Sequence, residues 1–159
     1  MSVTVLGIGN ILLMDEGAGV RVIEKLLEEY HVPDGVDVID GGTMGLELLP
    51  YVEDKEHVII VDVVKSGNPP GAVVRIEGSD VPVFLSSKIS PHQLGLSDLL
   101  AVAQITGWMP RHVVLIGIEP ERIDTGLDLS GTIQSKIDTL VTMVIEELKA
   151  AGIHPSPKS

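Results

Sequence analysis

The sequence predicts an α/β protein: a single three-layer domain in which a twisted, mostly parallel sheet carries helices on both faces. Apolar, strand-like segments alternate along the chain with segments whose apolar residues recur at helical spacing. Hydrophobic residues make up 44% of the chain and aromatic residues only 3%, so the core must be aliphatic, as in buried parallel strands. The length, 159 residues, suits one domain with a sizeable core.

In the first half of the chain, three apolar segments are typical of strands and two are typical of helices. The predicted strands cover residues 2–6, 36–39 and 57–64, and the predicted helices cover about residues 15–30 and 46–50. The segment 57–64 is the most apolar of the chain, which predicts a central strand buried on both faces. Asp15 is expected to be the N-cap of the first helix, because its side-chain oxygen can accept a backbone N–H there.

The second half continues the alternation and ends in a long helix. We predict strands over residues 72–76, at an edge of the sheet, and 112–118, extended structure over 81–85, and helices through 99–107 and over 131–151. The helix that ends at Gly107 begins at Ser90 or at Ser97, two starts that the sequence leaves open. Residues 119–128 are expected to be a solvated loop. The domain is predicted to cover residues 1–151, and residues 152–159 to form a flexible tail.

The charge balance excludes several classes of function. With 23 acidic and 11 basic residues the net charge is −12, whereas nucleic-acid binding relies on basic residues that neutralise phosphates. The chain has no cysteine, and therefore no disulfide, thiolate metal site or cysteine nucleophile. No apolar run approaches membrane-spanning length, and no basic segment followed by an apolar stretch opens the chain. We therefore expect a cytoplasmic protein that binds neither nucleic acid nor membranes.

The loop 7–19, with the sequence GIGNILLMDEGAG, follows the first strand and begins like a phosphate-binding turn. Its first two glycines fit a dinucleotide fingerprint, but the third glycine would fall at position 12, which is Leu12. Two adjacent carboxylates, Asp15 and Glu16, would also lie where a pyrophosphate binds. The loop therefore favours a cation over a phosphate.

Three side chains that can bind a metal lie just after, or at the end of, apolar strands: Glu16, Asp62 and His92. The carboxyl ends of strands in an open α/β sheet converge on one crevice, where two carboxylates and an imidazole suit a borderline divalent metal. Glu16 and His92 also have ordinary alternative roles at helix starts. Asp62 is harder to explain in that way, because a lone carboxylate in an aliphatic strand needs a partner or a cation. Asp40, which ends the second strand, is a second-rank candidate.

These residues, in this order, resemble the maturation endopeptidases of nickel–iron hydrogenases. The matching segments are GIGNIL and DEG in the first loop, DGGT at 40–43, Asp62 at the end of the central strand, KISPHQLGL at 88–96 and GIEP at 117–120. The resemblance covers residues 3 to about 150. The segment 88–96 is most similar to the branch of the family that serves uptake-type hydrogenases.

The resemblance implies an endopeptidase that removes the C-terminal extension of the hydrogenase large-subunit precursor after nickel insertion. It also implies that nickel supplied by the substrate is the recognition signal, contacted by Glu16, Asp62 and His92. A metal ion can polarise a carbonyl or activate water, and a carboxylate can instead act as general base; the sequence leaves both open. The alternatives are a zinc metallopeptidase and a nickel-sensing or chaperone module that binds the precursor without cutting it. A monomer is expected.

Overall fold

The computed structural model of this chain describes residues 2–44, 46–86, 100, 101, 103, 105, 107 and 109–159. Its centre is a five-stranded sheet formed by β1 (Val3–Ile8), β3 (Val36–Gly42), β4 (His57–Val63), β5 (Val73–Glu77) and β6 (His112–Ile118). The strand order is β3-β1-β4-β6-β5, and only the pairing of β5 with β6 is antiparallel. Two short strands, β2 (Tyr30–His31) and β7 (Ser156–Pro157), pair with each other outside this sheet.

Helices cover both faces of the sheet. On one face, α1 (Ala18–Glu29) follows a single 3-10 turn at Met14–Gly17, and α5 (Ile137–Ala150) follows the short helix α4 (Gly131–Gln134). The other face carries α2 (Leu49–Val52), which follows a 3-10 turn at Leu46–Leu48, then α3 (Asp80–Ser86) and the helical residues 100, 101, 103 and 105. In the part of the chain that is described, no helix is long and apolar enough to span a membrane.

Two aliphatic cores produce this three-layer arrangement. Every residue of β4 after His57 is buried, and successive side chains of a strand point to opposite faces of its sheet. Ile59 and Val61 accordingly join the core under α1 and α5, whereas Val58 and Ile60 join the core under α2 and α3. The prediction of a single α/β domain with a mostly parallel sheet between helices is confirmed, and β4 is its central strand.

Two predictions about local structure are wrong. Residues 81–85, expected to be extended, lie in helix α3. Its start tolerates Pro82, because a residue in the first turn of a helix has no helical partner for its N–H. The last helix is divided in two, since Ser135 ends α4 and its hydroxyl donates to the carbonyl of Thr132 at 2.7 Å. Such side-chain bonds to the backbone compete with helix continuation.

The C-terminal residues also differ from expectation, because part of the segment 152–159 pairs with the end of α1. Ser156–Pro157 forms β7 opposite Tyr30–His31, and the backbone N–H of Lys158 donates to the carbonyl of Glu29 at 2.8 Å. These hydrogen bonds join sequence-distant backbone groups, which the local composition of the tail does not reveal. The start of the helix before Gly107, at Ser90 or Ser97, lies outside the described residues.

Candidate active site

The carboxyl ends of β3, β1, β4 and β6 form one edge of the sheet, which we call the carboxyl edge. The register places Gly7 of β1 beside Asp40 of β3 on one side and beside Val61 of β4 on the other. Asp62 follows Val61 directly, so Asp40 and Asp62 lie at nearly the same height on the two strands that flank β1. Since neighbouring strands are about 4.8 Å apart, the two backbone positions are roughly 10 Å from each other.

Glycines in the loop 7–19 bring the start of α1 against this edge. A Cβ atom on Gly9 would collide with the backbone oxygen of Glu16, and Gly9 has a φ of +132°, which only glycine adopts readily. A Cβ atom on Gly19 would collide with the backbone oxygens of Val61 and Ile8. The 3-10 turn that contains Glu16 therefore lies close to the end of β1, and the start of α1 that follows it lies against Val61, the residue before Asp62.

Asp62 is buried, with 0% of its surface exposed, although it belongs to an otherwise aliphatic strand. One oxygen, Oδ1, accepts a hydrogen bond of 2.7 Å from the backbone N–H of Val63. By strand alternation its side chain lies on the same face of the sheet as Ile60, opposite to Val61 and Val63. The buried Asp62 and the partly exposed Glu16 at the same edge of the sheet are oxygen donors of the kind that can bind a cation.

Asp40 lies in a cleft next to this pair. The cleft has a volume of about 400 Å³ and is lined by Gly9, Asn10, Ile11, Leu12, Val20, Asp40, Gly42 and Thr43. Asp40 is exposed, and its Oδ1 accepts from the N–H of Gly42 at 3.0 Å, which shapes the turn at the end of β3. The Gly42 carbonyl in turn accepts from the N–H of Gly9 at 2.8 Å, so the two walls of the cleft are joined.

Asp15 has a different role from the predicted helix cap. The N-cap of α1 is Gly17, and no side chain caps it. The carboxylate of Asp15 is instead fully buried and accepts hydrogen bonds from Glu121, Arg122 and Ser130. The prediction of an N-cap is wrong because donors more than a hundred residues away compete for the same oxygens. Sequence reasoning placed Asp15 on the correct loop but contained no signal for these partners.

Glu119 is a third buried carboxylate, and the sequence did not predict its burial. It is 7% exposed and lies directly after β6, in the segment 119–128 that was expected to be a solvated loop. Its oxygens accept from the N–H of Ser66 at 2.9 Å and from the N–H of Gly67 at 2.8 Å. Glu119 thus ties the loop after β4 to the end of β6. Its position after an apolar strand was the available signal, the same one that indicated Asp62.

The structure brings two of the three predicted metal-binding residues, Glu16 and Asp62, to one edge. His92, the third, lies outside the described residues, and the trio therefore stays a prediction. Within the described ranges, no group of three or more His, Cys, Asp or Glu side chains has an arrangement that could hold a metal ion.

Several proteins that are similar to this chain in sequence or structure are proteases of hydrogenase maturation. The family model described as HycI, hydrogenase maturation protease, matches residues 20–147. The hydrogenase 2 maturation protease of Escherichia coli (strain K12) is 40% identical over 159 residues, which cover 99% of this chain and 97% of that protein. The solved structure of the hydrogenase maturating endopeptidase HybD from E. coli has a TM-score of 0.97, with 40% identity and coverage of 99% and 98%.

A more distant structure agrees. The [NiFe] hydrogenase maturation protease HybD from Thermococcus kodakarensis is 28% identical, with a TM-score of 0.73 and coverage of 93% of this chain and 99% of that one. Together these similarities define the class: an endopeptidase, a hydrolase acting on peptide bonds. The chain belongs to the hydrogenase maturation protease family, and the resemblance based on its motifs is confirmed. Membership implies C-terminal processing of a hydrogenase large-subunit precursor.

Proposed function

We propose that this endopeptidase removes the C-terminal extension of a nickel–iron hydrogenase large-subunit precursor, and that it does so only after nickel has been inserted. In this proposal the nickel belongs to the substrate, and Glu16, Asp62 and His92 contact it. The observation that supports the proposal is the close approach of the Glu16 backbone to Gly9, after β1, and of the start of α1 to Val61, the residue before the buried Asp62. Oxygen and imidazole ligands suit a borderline divalent metal.

The residues of this chain are assigned two tasks, binding of the substrate's nickel and transfer of a proton. Glu16, Asp62 and His92 together hold the nickel-bearing end of the precursor, and one of the two carboxylates can also take a proton from the attacking water as general base and pass it to the leaving amine nitrogen. Asp40, in the adjoining cleft, remains the second-rank candidate for contact with the substrate chain. We further propose that the enzyme acts as a cytoplasmic monomer.

The test uses the purified precursor with and without nickel, and measures the mass of its C-terminal part after incubation with the enzyme. We expect cleavage of the nickel-loaded precursor alone. Cleavage of the nickel-free precursor contradicts a substrate-borne signal, and stoichiometric zinc in the purified enzyme favours a zinc metallopeptidase instead. Binding of the precursor without any cleavage identifies a nickel-sensing or chaperone module.

The site assignment is tested by Glu16→Gln, Asp62→Asn and His92→Gln. Each is expected to lower the processing rate by about 10²-fold or more, the usual size of a lost acid–base or ligand contribution, while the domain stays folded. The matched controls are Glu24→Gln, Asp34→Asn and His154→Gln, which change the same residue types at exposed positions away from the carboxyl edge. Wild-type rates in all three site variants would remove the assignment.

A further inference from the structure

The carboxylate of Asp15 joins the first loop of the chain to a segment near its end. Its Oδ2 accepts from the N–H of Glu121 at 3.0 Å, the N–H of Arg122 at 2.8 Å and the hydroxyl of Ser130 at 2.8 Å. Its Oδ1 accepts from the N–H of Ser130 at 2.7 Å. Hydrogen bonds to an ionised acceptor are stronger than neutral ones, and four of them here replace the water that a fully buried carboxylate has lost.

Backbone hydrogen bonds extend this junction along the same loop. The N–H of Asp15 donates to the carbonyl of Arg122 at 3.2 Å, and the N–H of Met14 donates to the carbonyl of Gly126 at 3.0 Å. The N–H of Gly126 returns a bond of 2.9 Å to the carbonyl of Leu12. Met14 has a φ of +54°, a conformation that a side chain adopts at a cost and that persists only where neighbours hold it. The turn before Glu16 is therefore held from the segment 121–130.

We propose that Asp15 is a positioning residue that sets the place of Glu16; this inference rests on the proposed function. Both residues belong to one 3-10 turn, Met14–Gly17, so a shift of the first moves the second. On the opposite side of this turn, the backbone oxygen of Glu16 abuts Gly9. Glu16 is thus fixed from two directions, and a displacement of about 1 Å in an active site can cost roughly 10²-fold in rate.

Asp15 acts through Glu16 and does not touch the substrate in this proposal. It is fully buried, and both of its oxygens are directed at donors of the segment 121–130. Glu16, its neighbour in the same turn, is partly exposed. The two adjacent carboxylates therefore differ in role: Asp15 is buried and anchors the turn, whereas Glu16 is accessible to solvent.

The first test is Asp15→Asn, because an amide group presents N–H donors to a site that already contains three backbone N–H donors, of Glu121, Arg122 and Ser130. With the nickel-loaded precursor we expect kcat to fall 10- to 100-fold while KM changes less than about threefold. The control is Glu119→Gln, which changes another buried carboxylate that ties two segments together but belongs to a different turn from Glu16. Rates are compared at a temperature where circular dichroism shows both variants to be folded.

A fall in kcat that is equal in the two variants, or absent in Asp15→Asn, overturns the proposal. If Asp15→Asn does not fold, Ser130→Ala removes one donor to Asp15, and we expect a several-fold lower kcat. Ser130→Thr restores a hydroxyl and is expected to restore the rate; no loss in Ser130→Ala, or no rescue by Ser130→Thr, also overturns the proposal. Failure of the wild-type enzyme to process the precursor contradicts the proposed function instead.

Discussion

The two edges of the central sheet hold their polar side chains in opposite ways. At the carboxyl edge, Asp15, Asp62 and Glu119 are almost completely removed from water, with exposures of 0%, 0% and 7%. At the amino edge, where the same strands begin, His57 and His112 stack with their ring centroids 4.7 Å apart, and His112 is exposed. The carboxyl edge thus buries three carboxylates, although Asp40 there is exposed, whereas the two histidines of the amino edge stay in contact with solvent.

This difference in burial indicates that the loops at the carboxyl edge are held in fixed positions. Burying a carboxylate costs several kcal/mol unless hydrogen bonds replace its hydration, and Asp15 and Glu119 obtain those bonds from backbone N–H groups of other segments. Such groups move only when a whole loop moves, so each carboxylate holds a loop in place. The half-exposed His57 at the amino edge holds no loop in this way.

The largest effect on stability is expected for Gly19→Ala, at the carboxyl edge. The added methyl would collide with the backbone oxygens of Val61 and Ile8, which cannot move aside as a flexible side chain can. We expect the free energy of unfolding to fall by about 3 kcal/mol, as measured by urea denaturation.

The matched control for this prediction is Gly131→Ala, a helical glycine whose added methyl would meet open space. It should be neutral or stabilise by about 0.5 kcal/mol, because alanine is the better helix former. Equal stability of the two variants would mean that the close approach of α1 to β1 and β4 is absent in solution.

A smaller effect is expected for Glu119→Gln. Replacing one carboxylate oxygen by an amide nitrogen removes an acceptor for the backbone N–H groups of Ser66 and Gly67, and should cost about 1–3 kcal/mol of stability. Thermal denaturation measures the change, and Glu121→Gln, two residues away and exposed, serves as control. If both variants melt at the same temperature, burial of Glu119 contributes nothing to stability.

The smallest effect on stability is expected at the amino edge, from the titration of His57. Burial, and then the neighbouring His112, lower the pKa of His57 below 6.5, while Glu56 and Glu147 oppose the shift. The unfolded chain therefore binds more protons just below pH 6.5, so stability should fall as the pH drops through that value and level off below the pKa of the folded state. Urea denaturation between pH 8 and pH 5 (about the range in which histidine titrates) measures the change.

Replacement of the His57 side chain should remove part of the dependence of stability on pH. We expect His57→Gln to flatten the curve of stability against pH, whereas His31→Gln, at an exposed position, should leave it unchanged. A curve for His57→Gln that coincides with the wild-type curve would place the titrating group elsewhere.

The sequence predicts the strands and the burial of Asp62 because the signals for both are local. The aliphatic run 57–64 is unmistakable as a buried strand, and a carboxylate that interrupts it calls for a special partner. Residues 81–85 mislead for the same reason: their valine and phenylalanine content favours a strand, but packing of Val81 against the core stabilises helix α3.

The anchoring role of Asp15 could not be predicted, because its partners are distant in the chain. Its hydrogen bonds reach 106 residues to Glu121 and 115 residues to Ser130, and no spacing rule records such pairs. For Glu119 the local signal existed, but the acidic residues that follow it indicated a solvated loop. Composition describes the average environment of a segment, whereas burial at this edge is decided by single residues.

The span of the Asp15 junction has a consequence for synthesis of the protein. Ribosomes make the amino-terminal end first, at about 5–20 residues per second, so the loop that carries Glu16 exists for several seconds before Ser130 does. During that time the turn lacks the donors that hold it, and closing a loop of this length costs entropy that only the finished domain offsets. A nascent or C-terminally truncated chain therefore contains Glu16 without its final placement. Under the proposed function, proteolytic competence is therefore acquired only after Ser130 has been made.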